Sequence, residues 1–281
     1  MRSAPLLLTL VVGTACHREP AQTRANVLEA TATVAAPPST STSEADAREP
    51  RAPISGFFES LAVPGHPDAW LSLPTGASEP RPVVVVIHGS GDRPDWQCGG
   101  WRQATGGFAF VICPRGAYSP SSSTKSDARY TLAGGAPLLA HIDAALVALA
   151  LRYGDYADTR TPLLAGFSLG AWEVLGLAVQ APERFPRVAL IEGGMDGWSD
   201  QRIMAFRGGG GKRVLLGCGQ RYCEVAGKAT ANRLSRSGIE ARVVFAPVDH
   251  TFDLPLENAV HAELGWLLAG DARWDSRANT P

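Results

Sequence analysis

A serine stands between two glycines at residues 166–170 (GFSLG), where an apolar run gives way to a helix-like stretch. Glycines at such a sharp turn let strand and helix approach closely, because they have no Cβ. In a strand–Gly-x-Ser-x-Gly–helix pattern, the serine takes a strained backbone conformation that holds its hydroxyl above the sheet. The N-terminus of the following helix favours negative charge developing there. The pattern predicts that Ser168 is a nucleophile; the alternative is a turn that merely needs small residues.

Predicted strands and helices alternate regularly around Ser168, from Ile54 onward. Continuous β-branched runs such as RPVVVVIHG are typical of strands buried on both faces, and stretches with helical spacing lie between them. This alternation predicts an α/β fold with a doubly wound, mostly parallel sheet and helices on both faces. Ligands bind beyond the carboxyl ends of such strands. Ser168, His250 and the His88-Gly89 turn all follow predicted strands, so we expect them at one edge.

Three motifs occur in the order VVVVIHGSG, AGFSLGA and APVDHTF, and together they resemble those of the α/β-hydrolase superfamily. The resemblance covers roughly residues 54–270. It implies the α/β-hydrolase fold and a serine hydrolase similar to carboxylic ester hydrolases, with no cofactor. Because this fold hosts many chemistries, the resemblance does not name a substrate.

The resemblance also implies roles for residues around Ser168. His250 follows the last predicted strand, where the family places the general base that takes the serine proton. The backbone N–H groups of Leu169 and Ser90 are the expected oxyanion donors. His88 is expected to brace the turn that carries Ser90.

The acid of the triad is where the sequence departs from the family pattern. The acid normally follows the strand KRVLLG, but the loop there contains no aspartate. We favour Glu192, which ends the preceding strand, because a carboxylate after an aliphatic run needs a partner. Glu224 and Asp196 remain alternatives.

Little chain is available to cover this edge of the sheet. Only about 20 residues separate VALIEGG from KRVLLG, so we expect no large lid. An uncapped site would admit bulky or polymeric acyl groups. Trp96, Trp101 and Trp198 fall in predicted loops at the edge, where they either line a groove or simply pack.

Five cysteines bear on the cellular compartment. If Cys16 is set aside, four remain, and an even number in an oxidising compartment suggests two disulfides. The short spacing favours Cys218 with Cys223, which leaves Cys98 with Cys113. A zinc site is the alternative, but the spacing fits it poorly, so we expect no metal.

Residues 1–16 resemble a bacterial lipoprotein signal, with a charged start, a short apolar region and small residues before Cys16. The resemblance implies an exported protein at the periplasm or cell surface, anchored to a bacterial membrane through lipidated Cys16. An ordinary export signal cut near Ala15 is the alternative.

Composition defines the remaining segments. Residues 17–53 are rich in Ala, Thr, Ser, Pro and charge, which predicts a disordered tether; a short helix over 27–35 is the alternative. A hydrolase domain over 54–270 and a flexible tail over 271–281 follow.

Composition and charge also restrict the function. A net charge of −1 argues against a nucleic-acid partner. No apolar run reaches the roughly 18 residues that span a bilayer, so a multi-pass membrane protein is excluded. We expect an exported serine hydrolase acting on small-molecule or polymeric esters, or on thioester or peptide bonds. The alternative is a non-catalytic lipoprotein that keeps the fold for binding.

Overall fold

A computed structural model describes residues 52–279, which belong to one compact unit. The predicted signal with Cys16 lies outside the described residues. The predicted tether over 17–53 does too, except for its last two residues.

Ten strands occur within the described residues. They are β1 (Phe58–Leu61), β2 (Ala69–Ser72), β3 (Arg81–Ile87), β4 (Phe110–Pro114), β5 (Ala117–Tyr118), β6 (Tyr130–Thr131), β7 (Ala157–Phe167), β8 (Arg187–Ile191), β9 (Arg213–Cys218) and β10 (Glu240–Phe245). β5 and β6 form a separate two-stranded hairpin, and the other eight form one sheet in the order β1-β2-β4-β3-β7-β8-β9-β10. β2 pairs antiparallel with β1 and β4, and the remaining neighbours are parallel. The predicted mostly parallel sheet is confirmed.

The register of the parallel strands brings their carboxyl ends to one edge. Ile87 at the end of β3 lies opposite Gly166 of β7, and Phe167 lies opposite Ile191 at the end of β8. Ile191 in turn lies opposite Gly217 of β9. The turns that follow these strands therefore emerge side by side, as expected for a parallel sheet.

Six α-helices cover the sheet within the described residues: α1 (Pro94–Thr105), α2 (Gly135–Tyr153), α3 (Leu169–Gln180), α4 (Asp200–Gly208), α5 (Arg221–Arg236) and α6 (Leu254–Leu268). One buried cluster packs one face against α2, α3, α4 and α5, with Ile142 and Val174 among its members. A second cluster packs the opposite face against α1 and α6, with Trp101 and Leu264 among its members. Both faces of the sheet are covered, as the sequence predicted.

Helix α1 was not expected from the sequence, which placed Trp96 and Trp101 in a loop. Pro94 begins the helix, where proline lacks only an N–H that would be unpaired anyway, and Gly106 ends it in a left-handed conformation. Trp101 is fully buried, and so is Trp198. These two tryptophans pack in the interior and line no groove.

Helix α2 is long and apolar. With the 3₁₀ turn that follows it, the segment Gly135–Tyr156 meets the length and hydropathy of a membrane span, although the sequence was expected to hold no such run. Leu138, Ile142 and Leu149 on its inner face pack in the sheet core. A core helix that covers a sheet has this same composition, so α2 is weak evidence of a membrane span.

The structure differs from the flexible tail predicted over 271–281, of which it describes the part up to residue 279. Ala272–Asn279 form a 3₁₀ helix. Trp274 is 5% exposed and its ring centroid lies 5.7 Å from that of Phe108. Arg273 forms an ion pair with Asp158 of β7 and another with its neighbour Asp271. Burial of the indole offsets the entropy of ordering this segment, so the folded domain continues past residue 270.

Candidate active site

Ser168 lies at the sharp turn between β7 and α3, with φ 54° and ψ −120°. A non-glycine residue in this region of φ is strained and persists only where its surroundings enforce it. A Cβ on Gly166 would collide with the backbone of Gly170, and a Cβ on Gly170 would collide with the carbonyl of Ile87. The Ser168 N–H also donates to Ile191 O at 2.8 Å. The close approach of strand and helix therefore holds the serine in its strained conformation.

Three side chains from three different turns meet at this position. His250 Nε2 lies 2.8 Å from Ser168 Oγ, and His250 Nδ1 lies 2.9 Å from Glu192 Oε2. When the serine hydroxyl donates to Nε2, the imidazole proton resides on Nδ1 and donates to the carboxylate. This is the arrangement in which an imidazole can accept a serine proton.

The Glu192 side chain is fully buried, and its backbone has φ 53° at the end of β8. Its second oxygen, Oε1, accepts hydrogen bonds from the N–H groups of Gly219 at 2.5 Å and Gln220 at 3.0 Å. Both amides belong to the loop after β9, where the superfamily pattern places the acid. This loop supplies donors to an acid that comes from the neighbouring strand.

The two alternative acids lie elsewhere. The Glu224 carboxylate pairs with Lys228 at 2.6 Å and with Arg221, and these cations lower the pKa of Glu224, with the Lys228 hydrogen bond the largest cause. Asp196 is exposed in the 3₁₀ turn Met195–Gly197. Of the three candidate acids, Glu192 is the one that contacts His250.

The turn after β3 lies directly beside Ser168. A Cβ built on Gly89 would lie 3.3 Å from Ser168 Cβ. The buried His88 ring holds this turn, with its nitrogens 2.8 Å from Gly89 O and 3.0 Å from Arg115 O. The Gly89 N–H donates to Asp92 Oδ2 at 3.3 Å, so that amide is engaged within the protein.

The two expected oxyanion donors flank the serine. Ser90 is exposed and lines the same cavity as Ser168. Leu169 is the first residue of α3, so its N–H has no acceptor within the helix. The oxyanion role of the two amides stays a prediction.

Both cysteine pairs that the sequence predicted are disulfides. Cys98 of α1 is bonded to Cys113 of β4, and Cys218 at the end of β9 is bonded to Cys223 in the first turn of α5. The sulfurs of the second pair and a carboxylate oxygen of Glu192 lie within 4.8 Å of one another. Sulfurs joined in a disulfide do not offer the thiolates that zinc requires.

A cavity of about 880 Å³ opens at Ser168 and His250. The other side chains of its wall are mainly aromatic or acidic, and they include Trp70, Trp96, Phe252, Asp95, Asp253 and Glu257. Trp96 is 51% exposed and lies against Arg93 and Arg129, whose guanidinium carbons are 4.9 Å and 4.4 Å from its ring centroid. Burial, with the charge of Asp253 in addition, raises the pKa of Glu257 to about 7.

Sequence reasoning missed Asp92 and Glu257. Asp92 follows the turn in HGSGD, where a short acid that bonds nearby amides is common, so its position carried a usable signal. Glu257 carried none, because it reaches the cavity only through the packing of α6 against α1.

Comparison with solved structures shows what this fold resembles. FphF, the substrate-bound fluorophosphonate-binding serine hydrolase F of Staphylococcus aureus, aligns with a TM-score of 0.52 and 14% identity, over 76% of this chain and 99% of that one. The S-formylglutathione hydrolase FrmB of the same organism gives a TM-score of 0.54 and 16% identity, over 78% and 98%. TT1662 of Thermus thermophilus gives 0.51 and 15%, over 77% and 100%.

Neither the family models nor the curated proteins compared with this sequence give a match. At these identities the structural likeness speaks to the fold alone. Together with the sheet order and the helices on both faces, it shows that the chain has the α/β-hydrolase fold.

Proposed function

We propose that this chain is a serine hydrolase that cleaves carboxylic esters, with Ser168 as nucleophile. The observation that carries this proposal is the unbroken path of hydrogen bonds from Ser168 Oγ through His250 to Glu192, beside an open cavity. A serine with a role only in packing would need neither a strained backbone nor a histidine held by a buried acid. The arrangement suits nucleophilic attack on an acyl carbon.

In the proposed reaction, His250 Nε2 accepts the Ser168 proton as Oγ attacks the ester carbonyl. Glu192 stabilises the imidazolium that forms and keeps its ring oriented, because two backbone amides hold the other carboxylate oxygen. The N–H groups of Ser90 and Leu169 donate to the developing oxyanion. His250 then returns the proton to the leaving alcohol, and water releases the acyl group by the same steps in reverse.

A fluorophosphonate probe tests this proposal directly. The full-length protein is incubated with the probe, and labelling at Ser168 is located by peptide mass spectrometry. We expect labelling of the parent chain and none of Ser168→Ala. Hydrolysis of p-nitrophenyl acetate should follow the same pattern, and thioester and peptide substrates should react more slowly. A parent chain that neither labels nor cleaves any of these substrates would favour the non-catalytic binding protein.

We also propose that the chain is exported and anchored through lipidated Cys16. The signal-like residues 1–16 support this, and so do two disulfides, which form in oxidising compartments. Cys16→Ser should then move the protein from the membrane fraction to the soluble fraction. A parent protein that is already soluble and carries no lipid would contradict the anchor and leave export to be tested by its disulfides.

A further inference from the structure

Glu257 lies in the wall of the cavity that also holds Ser168 and His250. It stands in the first turn of α6 and is about half-buried. Nothing in the proposed reaction uses this carboxyl group, so its presence in the wall calls for another explanation.

The other acids of the cavity have partners in the protein. Asp92 accepts from backbone amides, Asp95 pairs with Arg93, and Asp253 accepts from the Thr251 hydroxyl at 2.9 Å. Within residues 52–279, the Glu257 side chain receives no hydrogen bond and forms no ion pair. Its oxygens are not sealed off either.

Packing holds this carboxyl group against α1. A Cβ on Gly100 would lie 2.9 Å from Glu257 Oε1 and 2.8 Å from Phe252 Cδ1, so the absence of a side chain there lets both residues approach. Gln97, one turn earlier on α1, lines the same cavity, and its Oε1 atom is buried without a donor among the described residues. This wall therefore contains one acceptor that is open to the cavity, Glu257, and one that is enclosed, Gln97 Oε1, and no described residue satisfies either of them. Buried acceptors are normally paired.

The group that would satisfy this wall is a hydrogen-bond donor that carries positive charge. Four carboxylates line the cavity against one guanidinium, that of Arg129, which is itself paired with Asp127. Burial raises the pKa of Glu257 to about 7, and a neighbouring cation would favour its ionised form.

We propose that Glu257 binds an ammonium group on the substrate, so that the enzyme prefers esters whose acyl or alcohol part carries a primary amine. This inference rests on the proposed ester hydrolysis and names the substrate class of that same site. Glu257 is a specificity-determining residue in it and takes no part in bond making.

Matched pairs of neutral and cationic esters test the preference. For the acyl side, the pair is p-nitrophenyl 4-(aminomethyl)benzoate and p-nitrophenyl 4-ethylbenzoate, which differ by an ammonium in place of a methyl group. For the alcohol side, the pair is 4-(aminomethyl)benzyl acetate and 4-ethylbenzyl acetate. We expect kcat/KM to favour the amine by about tenfold or more in at least one pair, as a charge-assisted hydrogen bond would give.

Two variants in α6 test whether Glu257 causes the preference for the amine. Glu257→Gln should reduce the ratio within that pair to near one. Glu263→Gln removes an equal charge from α6 at a residue that pairs with Arg242 outside the cavity, and should leave the ratio unchanged. In the parent chain the ratio should rise with pH through about 7 as Glu257 ionises, because effects of pH that both esters share cancel in the ratio. Equal rates within both pairs, or a preference that survives Glu257→Gln, would overturn the proposal.

A binding measurement separates this inference from the proposed chemistry. Ser168→Ala is titrated calorimetrically with 4-(aminomethyl)benzamide and with 4-ethylbenzamide, neither of which needs to react. Tighter binding of the amine that disappears in Ser168→Ala/Glu257→Gln supports the ammonium site even if the parent chain cleaves no ester. Equal affinity of the two amides, in a parent chain that does cleave esters, overturns the ammonium site and leaves the hydrolase intact.

Discussion

Two turns at the active edge of the sheet are built in the same way. In each, a carboxylate accepts hydrogen bonds from backbone amides: Asp92 from Gly89 and Arg93, and Glu192 from Gly219 and Gln220. The helix that follows each set of amides carries a disulfide cysteine: Cys98 of α1 is bonded to Cys113, and Cys223 of α5 is bonded to Cys218.

The two carboxylates differ in their other hydrogen-bond partners. Asp92 Oδ2 also accepts from the Gln97 amide at 3.0 Å, so this carboxylate only holds its turn. Glu192 uses one oxygen for the two amides and the other for His250. A carboxylate that accepts hydrogen bonds from the amides of a turn affects the reaction only when its second oxygen contacts the imidazole. We therefore expect substitutions of the two carboxylates to lower kcat to different extents.

Glu192→Gln should give the largest effect. The amide can still accept from the loop after β9, but it no longer stabilises the imidazolium or selects the correct tautomer, so kcat should fall by about 10⁴-fold. The measurement is kcat on p-nitrophenyl acetate, with circular dichroism to show that the fold is kept. A loss below about tenfold would mean that Glu192 merely holds its turn, as Asp92 does.

Removal of one disulfide should lower mainly the activity, and removal of the other should lower mainly the stability. Cys218→Ala/Cys223→Ala frees the loop whose amides hold Glu192, and should lower kcat by about 10- to 100-fold with KM little changed, because positioning errors act on the transition state. Cys98→Ala/Cys113→Ala should mainly lower stability, by about 3 kcal/mol for a bridge that spans 15 residues.

Urea unfolding and steady-state kinetics on both double variants check this pair of outcomes. An unchanged kcat in Cys218→Ala/Cys223→Ala would contradict the expected difference between the two disulfides. A large loss of kcat in Cys98→Ala/Cys113→Ala without a loss of stability would contradict it too.

Asp92→Asn should have a smaller effect on kcat than Glu192→Gln. The variant weakens the grip on the Gly89 amide and lets the adjacent Ser90 N–H shift from the expected oxyanion position, which should cost about tenfold in kcat, less than the full loss of one oxyanion donor. The pH dependence of kcat should keep its shape, because His250 and its acid are untouched. A changed pH profile would indicate that Asp92 acts on the imidazole.

Glu224→Gln should have the smallest effect and serves as the control for the choice of acid. Activity should stay within about twofold of the parent, since the carboxylate pairs with Lys228 and Arg221 and not with His250. Because the pKa of Glu224 is lowered in the folded chain, any stability it adds is present above its ordinary pKa and is lost as pH falls below it. Thermal unfolding at neutral and acidic pH should show a small difference from the parent that disappears in acid. A large loss of activity would reopen the choice of acid.

Much of the fold could be predicted from local patterns. β-branched runs buried on both faces and their alternation with helices indicated the parallel sheet, and the carboxyl ends of its strands indicated where Ser168 and His250 would lie. Helix α1 escaped prediction because its stretch is rich in glycine and polar residues, so its buried Trp101 has no clear apolar period around it. The ordering of residues 272–279 depends on a distant contact of Trp274 with Phe108.

Local sequence was enough to predict most of the strands and helices, the strained serine turn and the disulfide partners, because each depends on residues close together in the chain or on a simple count. Only the tertiary structure decided which carboxylate meets His250. Glu192, Asp196 and Glu224 all lie near the same edge, and the choice among them rests on the register of β8 against β9 and on the amides that the next loop supplies. It also decided that Glu257 faces the cavity, because that depends on how closely α6 packs against Gly100 of α1.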